Sequence, residues 1–367
     1  MKRFVLMTGC TGELGLRVLT QILQAPVLKY EKIFLLVRSS ADQSGLERVQ
    51  KLLQQYMGPL ESRRALSVIK VCEGDVTRNQ FGLEQSTFSD LQRKTTDIFH
   101  FAALTKFFAP IADLRRVNVI GTRNILNFIS TSSRVEELHY ISTAFVAGRH
   151  SGFFSEKDFS CNQSFNNPYE QSKFEAEQFV RFFKNRRIRL CIYRPSIVVG
   201  EYETGKINDF KMFYQPLKLL SKELFEVLPV DINTRLNLIP VDIAASMIRI
   251  LSSIKGRGME VYHITSPSDI EILRLISLAS SFFGFKKPRF CKSDKKFLEK
   301  FTPVQLRGIE SYLPYFNFKA RFVSKQTQQV LKLQGFQFPS IDEKFLLRLF
   351  SFAAEKRIIL YKLKKNC

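Results

Sequence analysis

Eight residues near the start, Thr8-Gly9-Cys10-Thr11-Gly12-Glu13-Leu14-Gly15, constrain the fold of this chain more than any other stretch. The apolar run Phe4-Val5-Leu6-Met7 precedes them and reads as a short buried strand. Leu14, Val18 and Ile22 follow on one face of an amphipathic helix. Strand, glycines and helix in that order are the context of a dinucleotide-binding fingerprint. The glycines permit a tight turn and let the backbone approach a pyrophosphate, to which the helix N-terminus offers free N–H groups. Thr8, Gly9, Thr11, Gly12, Glu13, Leu14 and Gly15 are therefore candidate cofactor contacts.

The pattern of apolar run, turn and helix continues. Ile33 to Val37 reads as a second strand and Arg38 ends it. An acidic residue at that place binds a ribose 2′-hydroxyl, whereas an arginine accommodates a 2′-phosphate, so Arg38 favours NADPH over NADH. Arg48, on the next helix, either adds a second positive charge or lies on a solvated face. Leu66 to Val71 leads into Cys72-Glu73-Gly74-Asp75-Val76, a third strand and its turn. Asp75 and Val76 are candidate cofactor contacts, Asp75 either accepting from the adenine amine or merely capping the turn. Asp97 to Ala103 is a fourth strand, and the small Ala102 and Ala103 let a cofactor pass close to the backbone. His100 reads as a packed or hydrogen-bonded histidine rather than a catalyst. Asn118 to Thr122 opens the following helix. Leu138 to Ile141 is a fifth strand ending at Ser142-Thr143, Arg189 to Tyr193 a sixth, and Val261 to Ile264 the last.

The expected fold class is α/β, a Rossmann-type doubly wound parallel sheet with a smaller C-terminal substrate-covering region. The 367 residues divide into an NADP-binding domain over 1–266, with 201–238 contributing to a substrate lobe, and a basic, Phe-rich region over 267–367. Parallel α/β sheets bind ligands at the carboxyl ends of their strands, which is where the Ser142-Thr143 hydroxyls fall. Beyond them Asn166-Asn167-Pro168 starts a helix that carries Tyr169 and Lys173. Residues four apart share a helix face, so the phenol and the ammonium are neighbours. A positive charge eases ionisation of a phenol, which makes Tyr169 a candidate proton donor or acceptor for a carbonyl or alcohol oxygen.

Composition adds partners and compartment. The formal charge of +22 points to an anionic partner or to solubility alone. With no Trp and 35 Phe, the core is expected to be Phe-rich. The six cysteines are scattered and the four histidines lack metal-ligand spacing, so neither a disulfide framework nor a metal site is expected. No apolar run approaches ~18 residues, the length a membrane helix needs. The start is too short in apolar residues for a signal peptide, and Cys367 forms no C-a-a-X box. A cytoplasmic chain is expected. Helical periodicity returns from Lys344 to Leu363. The end, Ile358 to Lys365, is apolar and then basic: either a helix packed on the domain or a peripheral contact with an anionic membrane.

Together, Thr8-Gly9-x-x-Gly12-x-x-Gly15, Thr143, Tyr169-x-x-x-Lys173 and Arg194-Pro195-x-x-Val198-x-Gly200 resemble an extended short-chain dehydrogenase/reductase over residues 1–266. Leu35-Leu36-Val37-Arg38, Gly74-Asp75-Val76-Thr77, Tyr140 to Gly148 and Asn166 to Glu177 resemble its thioester reductase and fatty acyl-CoA reductase (male-sterility type) branch. Glu13 departs from the aromatic or aliphatic residue often found at its place. The resemblance implies that Tyr169 protonates the carbonyl oxygen as hydride arrives. Lys173 would lower the Tyr169 pKa and bind the nicotinamide ribose, and Thr143 would hold the substrate oxygen. Pro195, Ile197 and Val198 would run beside the nicotinamide. The substrate so implied is an acyl thioester on CoA or an acyl carrier protein, reduced to an aldehyde or on to an alcohol. The Phe-rich C-terminal part then either lines an acyl pocket or simply fills a core. Nucleotide-sugar epimerases or dehydratases and hydroxysteroid-type dehydrogenases share the Tyr/Lys pair, but they more often hold NAD through an acidic residue, and Arg38 argues against them. A nucleic-acid-binding protein on this scaffold has no physical need of Thr143, Tyr169 and Lys173 together.

Overall fold

The computed structural model describes residues 2–40, 42–107, 109–185, 187–291 and 301–361. They form two units that interleave along the chain. The first comprises Met1–Val146, Asn167–Pro195 and Ala244–Ile264; the second comprises Ala147–Asn166, Ser196–Ile243 and Thr265–Cys367. The sequence places one boundary near residue 266. In the structure 147–166 and the whole of 201–238 fall in the second unit together with the C-terminal region.

The first unit is built on a seven-stranded sheet. Its strands are β1 (Phe4–Thr8), β2 (Lys32–Val37), β3 (Ile69–Glu73), β4 (Asp97–His100), β5 (Glu137–Ile141), β6 (Arg189–Pro195) and β7 (Met259–Ile264). The order is β3-β2-β1-β4-β5-β6-β7, and every pairing is parallel. Helices cover both faces, so the strands are near-continuous apolar runs rather than alternating ones; β2 is buried from Ile33 to Val37 and β6 throughout. The order reverses between β1 and β4, the place where such sheets take a ligand. Register there sets Thr8 opposite Leu36 on one side and His100 on the other. Phenylalanine fills the core as expected: Phe81, Phe88 and Phe128 pack with ring centroids 5.5–5.6 Å apart.

Two elements depart from expectation. Leu66 to Val68 close a helix, Pro59–Val68, and the third strand starts only at Ile69. Pro59 at the first helical position explains this, since its fixed φ and missing N–H suit a helix start. The helix expected to open at Asn118 is already running from Ile111. Residues Arg115–Ile120 form a π-helical segment before Gly121–Thr131 resumes α geometry. Such an insertion re-aims a side chain. Here Asn118 accepts from the Leu104 N–H (2.7 Å) and donates to the Leu104 carbonyl (3.1 Å) and to Ser172 (2.8 Å).

The second unit has no large sheet among its described residues. Parallel pairs join Ile197–Val199 to Leu238–Pro240, Gly152–Ser155 to Ala320–Val323 and Val227–Pro229 to Arg289–Cys291. Helices Ile272–Phe283 and Glu343–Glu355 pack through Phe282, Phe283 and Phe350. Buried Glu156 accepts from the N–H and hydroxyl of Thr327 (2.8 and 2.7 Å) at a helix N-terminus, where negative charge is favoured. The helical periodicity that runs in sequence as far as Leu363 stops at Glu355, because Arg357 adopts a left-handed φ of 54°. Ile359 is buried, while Leu360 and Tyr361 are exposed; the basic tail, Lys362 to Cys367, lies outside the described residues.

Candidate active site

The site starts from one helix. Asn167 caps Pro168–Phe182 by accepting from the Glu170 N–H (3.0 Å), and Pro168 occupies the first helical position. Tyr169, Lys173 and Glu177 then follow at four-residue steps on one face. All three meet the residues that end β5. The Thr143 hydroxyl hydrogen-bonds to the Tyr169 phenol. It also reaches the Pro195 carbonyl at 3.4 Å and accepts from the Phe145 N–H at 3.3 Å. Lys173 donates to the Ile141 carbonyl (2.7 Å) and to the Tyr140 phenol (3.0 Å), and lies 4.5 Å from the centre of that ring. Its ammonium has three donors, and the protein thus takes two of them.

Burial decides the protonation states. It pulls Lys173 down to about 7, opposed by the negative charge of Glu177. It pushes Tyr169 above the ordinary phenol value, with only the Thr143 hydrogen bond pulling back. The resemblance implied a phenol made easier to ionise; in this structure desolvation prevails, and Tyr169 stays protonated at neutral pH, the form a proton donor needs.

Ser142, the other hydroxyl at the strand end, is committed elsewhere. It donates to Glu177 at 2.5 Å. Glu177 also takes the Arg194 guanidinium at 2.7 Å, both side chains being fully buried, and Arg181 at 2.8 Å. These cations hold its carboxyl at about 2 against the opposing pull of burial. Arg194 in turn contacts His263 at 3.2 Å. The sequence marks neither Glu177 nor Arg194 as a site residue. The four-residue step from Lys173 is a signal for Glu177, but its partner lies in a distant strand.

In the Gly loop each glycine answers to a different constraint. Gly9 has φ +68°, and a Cβ there would meet Ala102 N at 2.4 Å. A Cβ on Gly15 would meet Gly9 O at 2.4 Å. Those two glycines are demanded by packing of the loop on β4 and of the helix on the loop. Gly12 is different: a Cβ there meets only Gly9 O, at 3.4 Å, so its remaining side is open to a pyrophosphate. Gly12 is also the N-cap of Glu13–Leu23 and supplies no capping side chain, which leaves first-turn N–H groups for an anion. Glu13 turns toward Arg17 (3.4 Å) and Tyr56 (3.5 Å). Cys10 is buried and its thiol is pushed up to about 12, so it is inert.

Arg38 is exposed at the end of β2. Arg48 is half-buried: it donates to the Arg38 carbonyl (2.6 Å) and to Thr11 (3.4 Å), tying the end of β2 to the Gly loop. Asp75 caps its own turn by accepting from the Thr77 N–H at 2.8 Å. Val76 is buried against Gly121. Ala102 donates its N–H to Thr8 at 3.3 Å, and Ala103 is half-buried beside it. Pro195 ends β6, whereas Ile197 and Val198 belong to the second unit. Ile197 there lines an apolar cavity of about 50 Å³ with Met212, Phe213, Leu220, Ile276 and Phe316.

Folding also gathers groups that are far apart in sequence. Ligand atoms of Asp97, Glu137 and His139 lie within 4.8 Å of one another. Arg3 pairs with Asp97 and Glu137, and Arg189 approaches Glu137 at 3.8 Å, so this cluster is an ion-pair network at the starts of the strands. No helix of the described residues is long and apolar enough to cross a membrane.

A sheet of this order with a dinucleotide cradle at its switch point defines a class, the extended short-chain dehydrogenase/reductases. Comparison with known proteins narrows it. Residues 7–248 match the model of an NAD-binding family described as male sterility protein. A linear gramicidin synthase protein of Brevibacillus parabrevis is 26% identical over 367 residues, 95% of this chain and 7% of that protein. The L-2-aminoadipate reductase large subunit of Eremothecium gossypii is 32% identical over 262 residues, 66% of this chain and 18% of that protein. The chain therefore spans a small fraction of the length of these relatives. Among solved structures, the terminal R domain from the myxalamid PKS-NRPS biosynthetic pathway aligns with a TM-score of 0.83 at 26% identity, covering 99% of this chain and 93% of that one. A thiolation-reductase di-domain from an archaeal non-ribosomal peptide synthetase shares the fold, with a TM-score of 0.78 at 23% identity over 98% of this chain and 76% of that one. The chain belongs to the male sterility family of NAD-binding proteins.

Proposed function

We propose that this chain uses NADPH to reduce an acyl thioester, carried on a phosphopantetheine-bearing protein or on CoA, to an aldehyde. The observation that carries the reading is the convergence of Thr143, Tyr169 and Lys173 at the carboxyl end of β5 in a sheet whose switch point holds the Gly loop. A relative named as a linear gramicidin synthase and a structure named as the thiolation-reductase di-domain of a non-ribosomal peptide synthetase favour a carrier-protein thioester over free CoA. The cofactor supplies hydride to the carbonyl carbon. Thr143 holds the carbonyl oxygen and protonated Tyr169 gives it a proton, which leaves a hemithioacetal. Its collapse breaks the C–S bond and releases aldehyde and thiol. NADPH, one proton and the thioester are consumed; NADP, aldehyde and thiol form. Lys173 binds the nicotinamide ribose. Arg38, with Arg48 fixing the strand end behind it, receives the 2′-phosphate.

The test follows NADPH oxidation and thiol release together on acyl-carrier-protein thioesters and on acyl-CoAs of graded length. Equal amounts of both products, lost in Tyr169→Phe, are expected. Twice as much NADPH oxidised as thiol released identifies reduction on to the alcohol. Cofactor binding without turnover on any thioester overturns the reading and points to the sugar-nucleotide or sterol chemistry of related folds.

A further inference from the structure

Lys173 and the Gly loop stand at opposite ends of the dinucleotide cradle, yet one buried chain of hydrogen bonds joins them. Lys173 donates to the Tyr140 phenol (3.0 Å). Tyr140 bonds to Thr122. Thr122 meets His100 Nε2 at 3.1 Å, and His100 Nδ1 meets Thr8 at 2.7 Å. Thr8 is the last residue of β1, at the mouth of the Gly loop, and also accepts from the Ala102 N–H (3.3 Å). Thr8, His100, Thr122, Tyr140 and Lys173 are all at most 3% exposed.

The direction of every bond follows from counting protons. The single hydroxyl proton of Thr122 goes to the Asn118 carbonyl at 2.6 Å. Thr122 must therefore accept from both neighbours. Tyr140 donates to it, which leaves the phenol's lone pairs for the ammonium. His100 donates through Nε2–H, so a neutral ring presents Nδ1 as an acceptor, and Thr8 donates to it. Burial drives His100 down to about 3, aided by the positive charge of Lys173, so the ring stays neutral at working pH. Two donor arms result, Lys173 through Tyr140 and Thr8 through His100, and they converge on Thr122, with no member able to turn without leaving a buried group unpaired.

We propose that Tyr140 is a positioning residue for Lys173, oriented through Thr122 and His100 by Thr8, so that the ribose-binding ammonium and the pyrophosphate loop are held in one register. The proposal rests on the assignment of Lys173 to the cofactor ribose. The groups that face the ammonium are Tyr140 from β5, His100 from β4 and Glu177 from its own helix, with Arg194 from β6 behind Glu177. An acceptor favours the charged form of a lysine, so deleting the Tyr140 hydroxyl lowers the Lys173 pKa while the ring beneath it remains.

The experiment measures NADPH affinity against pH through the fluorescence of the bound cofactor. In the unaltered protein, affinity falls as pH rises and Lys173 loses its proton. Tyr140→Phe is expected to move that fall to lower pH by about one unit, the size of a lost hydrogen bond to a charged group. Thr122→Val moves it the same way, and Thr122→Ser restores the original profile. An unmoved fall in folded Tyr140→Phe, or Thr122→Ser behaving like Thr122→Val, overturns the proposal. The His100 tautomer, read by nitrogen NMR on the unaltered protein, decides independently of how any variant folds. Nε2–H is expected; Nδ1–H or a charged ring breaks the chain. Lys173→Met separates the two layers: an unchanged pH profile there removes Lys173 from the ribose and is a failure of that assignment, not of the chain.

Discussion

At the scale of single residues, the proposed function gives the proton and the 2′-phosphate to different side chains, and each makes a separate prediction. Tyr169 is protonated at neutral pH because burial outweighs every other influence on it. Replacing it with Phe removes the proton donor and keeps the ring that packs 5.6 Å from Phe107. Turnover is expected to fall about 100- to 10,000-fold, the range for a general acid. NADPH affinity, measured by fluorescence titration, is expected to hold within a factor of about three, since the loss belongs to the transition state alone. Arg38 makes the opposite split. It is exposed, so Arg38→Ala disturbs no packing. It is expected to weaken NADPH about tenfold or more, the worth of a hydrogen bond to a charged group. NADH affinity should stay as it was, and equal weakening of both cofactors would place the 2′-phosphate elsewhere.

At the scale of elements, the helix Pro168–Phe182 does two jobs. One face offers Tyr169 and Lys173 to the site, and Glu177 on the same face anchors the helix to β6 through Arg194. Removing Arg194 takes from fully buried Glu177 its buried cation and leaves only Arg181 and the Ser142 hydroxyl to hold the charge, so Arg194→Met is expected to cost up to about 3–5 kcal/mol in urea unfolding. The pair also sets an acid limit. The folded Glu177 value of about 2 lies below its ordinary 4.5. Its contribution is therefore complete above that ordinary value and is lost as pH falls toward the folded one. Glu177→Gln should remove that part of the acid sensitivity of the melting temperature. None of this pairing is legible in the sequence, because Ser142, Glu177 and Arg194 meet only once three elements pack. What is legible is local. The Gly loop and the Tyr169/Lys173 step are set by backbone conformation and a helical period, both written in consecutive residues. The start of the third strand is ambiguous in sequence because Leu66 and Val68 suit a helix end as well as a strand. The sequence marks His100 as packed or hydrogen-bonded, but its place in a chain reaching Lys173 needs Tyr140 and Thr122, which carry no motif of their own.

At the scale of the whole molecule, the sequence shows an excess of 22 positive charges without saying what they face. Phosphopantetheine carriers present acidic surfaces, and opposite charges raise the rate of encounter by about 10- to 1,000-fold at low salt. The effect is screened over about 10 Å at 0.1 M salt. If the charge serves capture of a carrier, kcat/KM for an acyl-carrier-protein thioester should fall about tenfold or more as salt rises from low to physiological. A neutral thioester of the same acyl group on a short pantetheine mimic offers nothing to steer, and its kcat/KM should change little. Acyl-CoA, small but polyanionic, should fall between the two. The comparison is internal, since all three share the acyl group, the cofactor and the Thr143, Tyr169 and Lys173 machinery. Equal salt sensitivity for all three would assign the effect to binding of the cofactor, whose own phosphates are charged. A salt effect confined to the carrier-bound substrate would assign the basic surface to docking and leave the chemistry to the buried groups around Lys173, which salt does not reach.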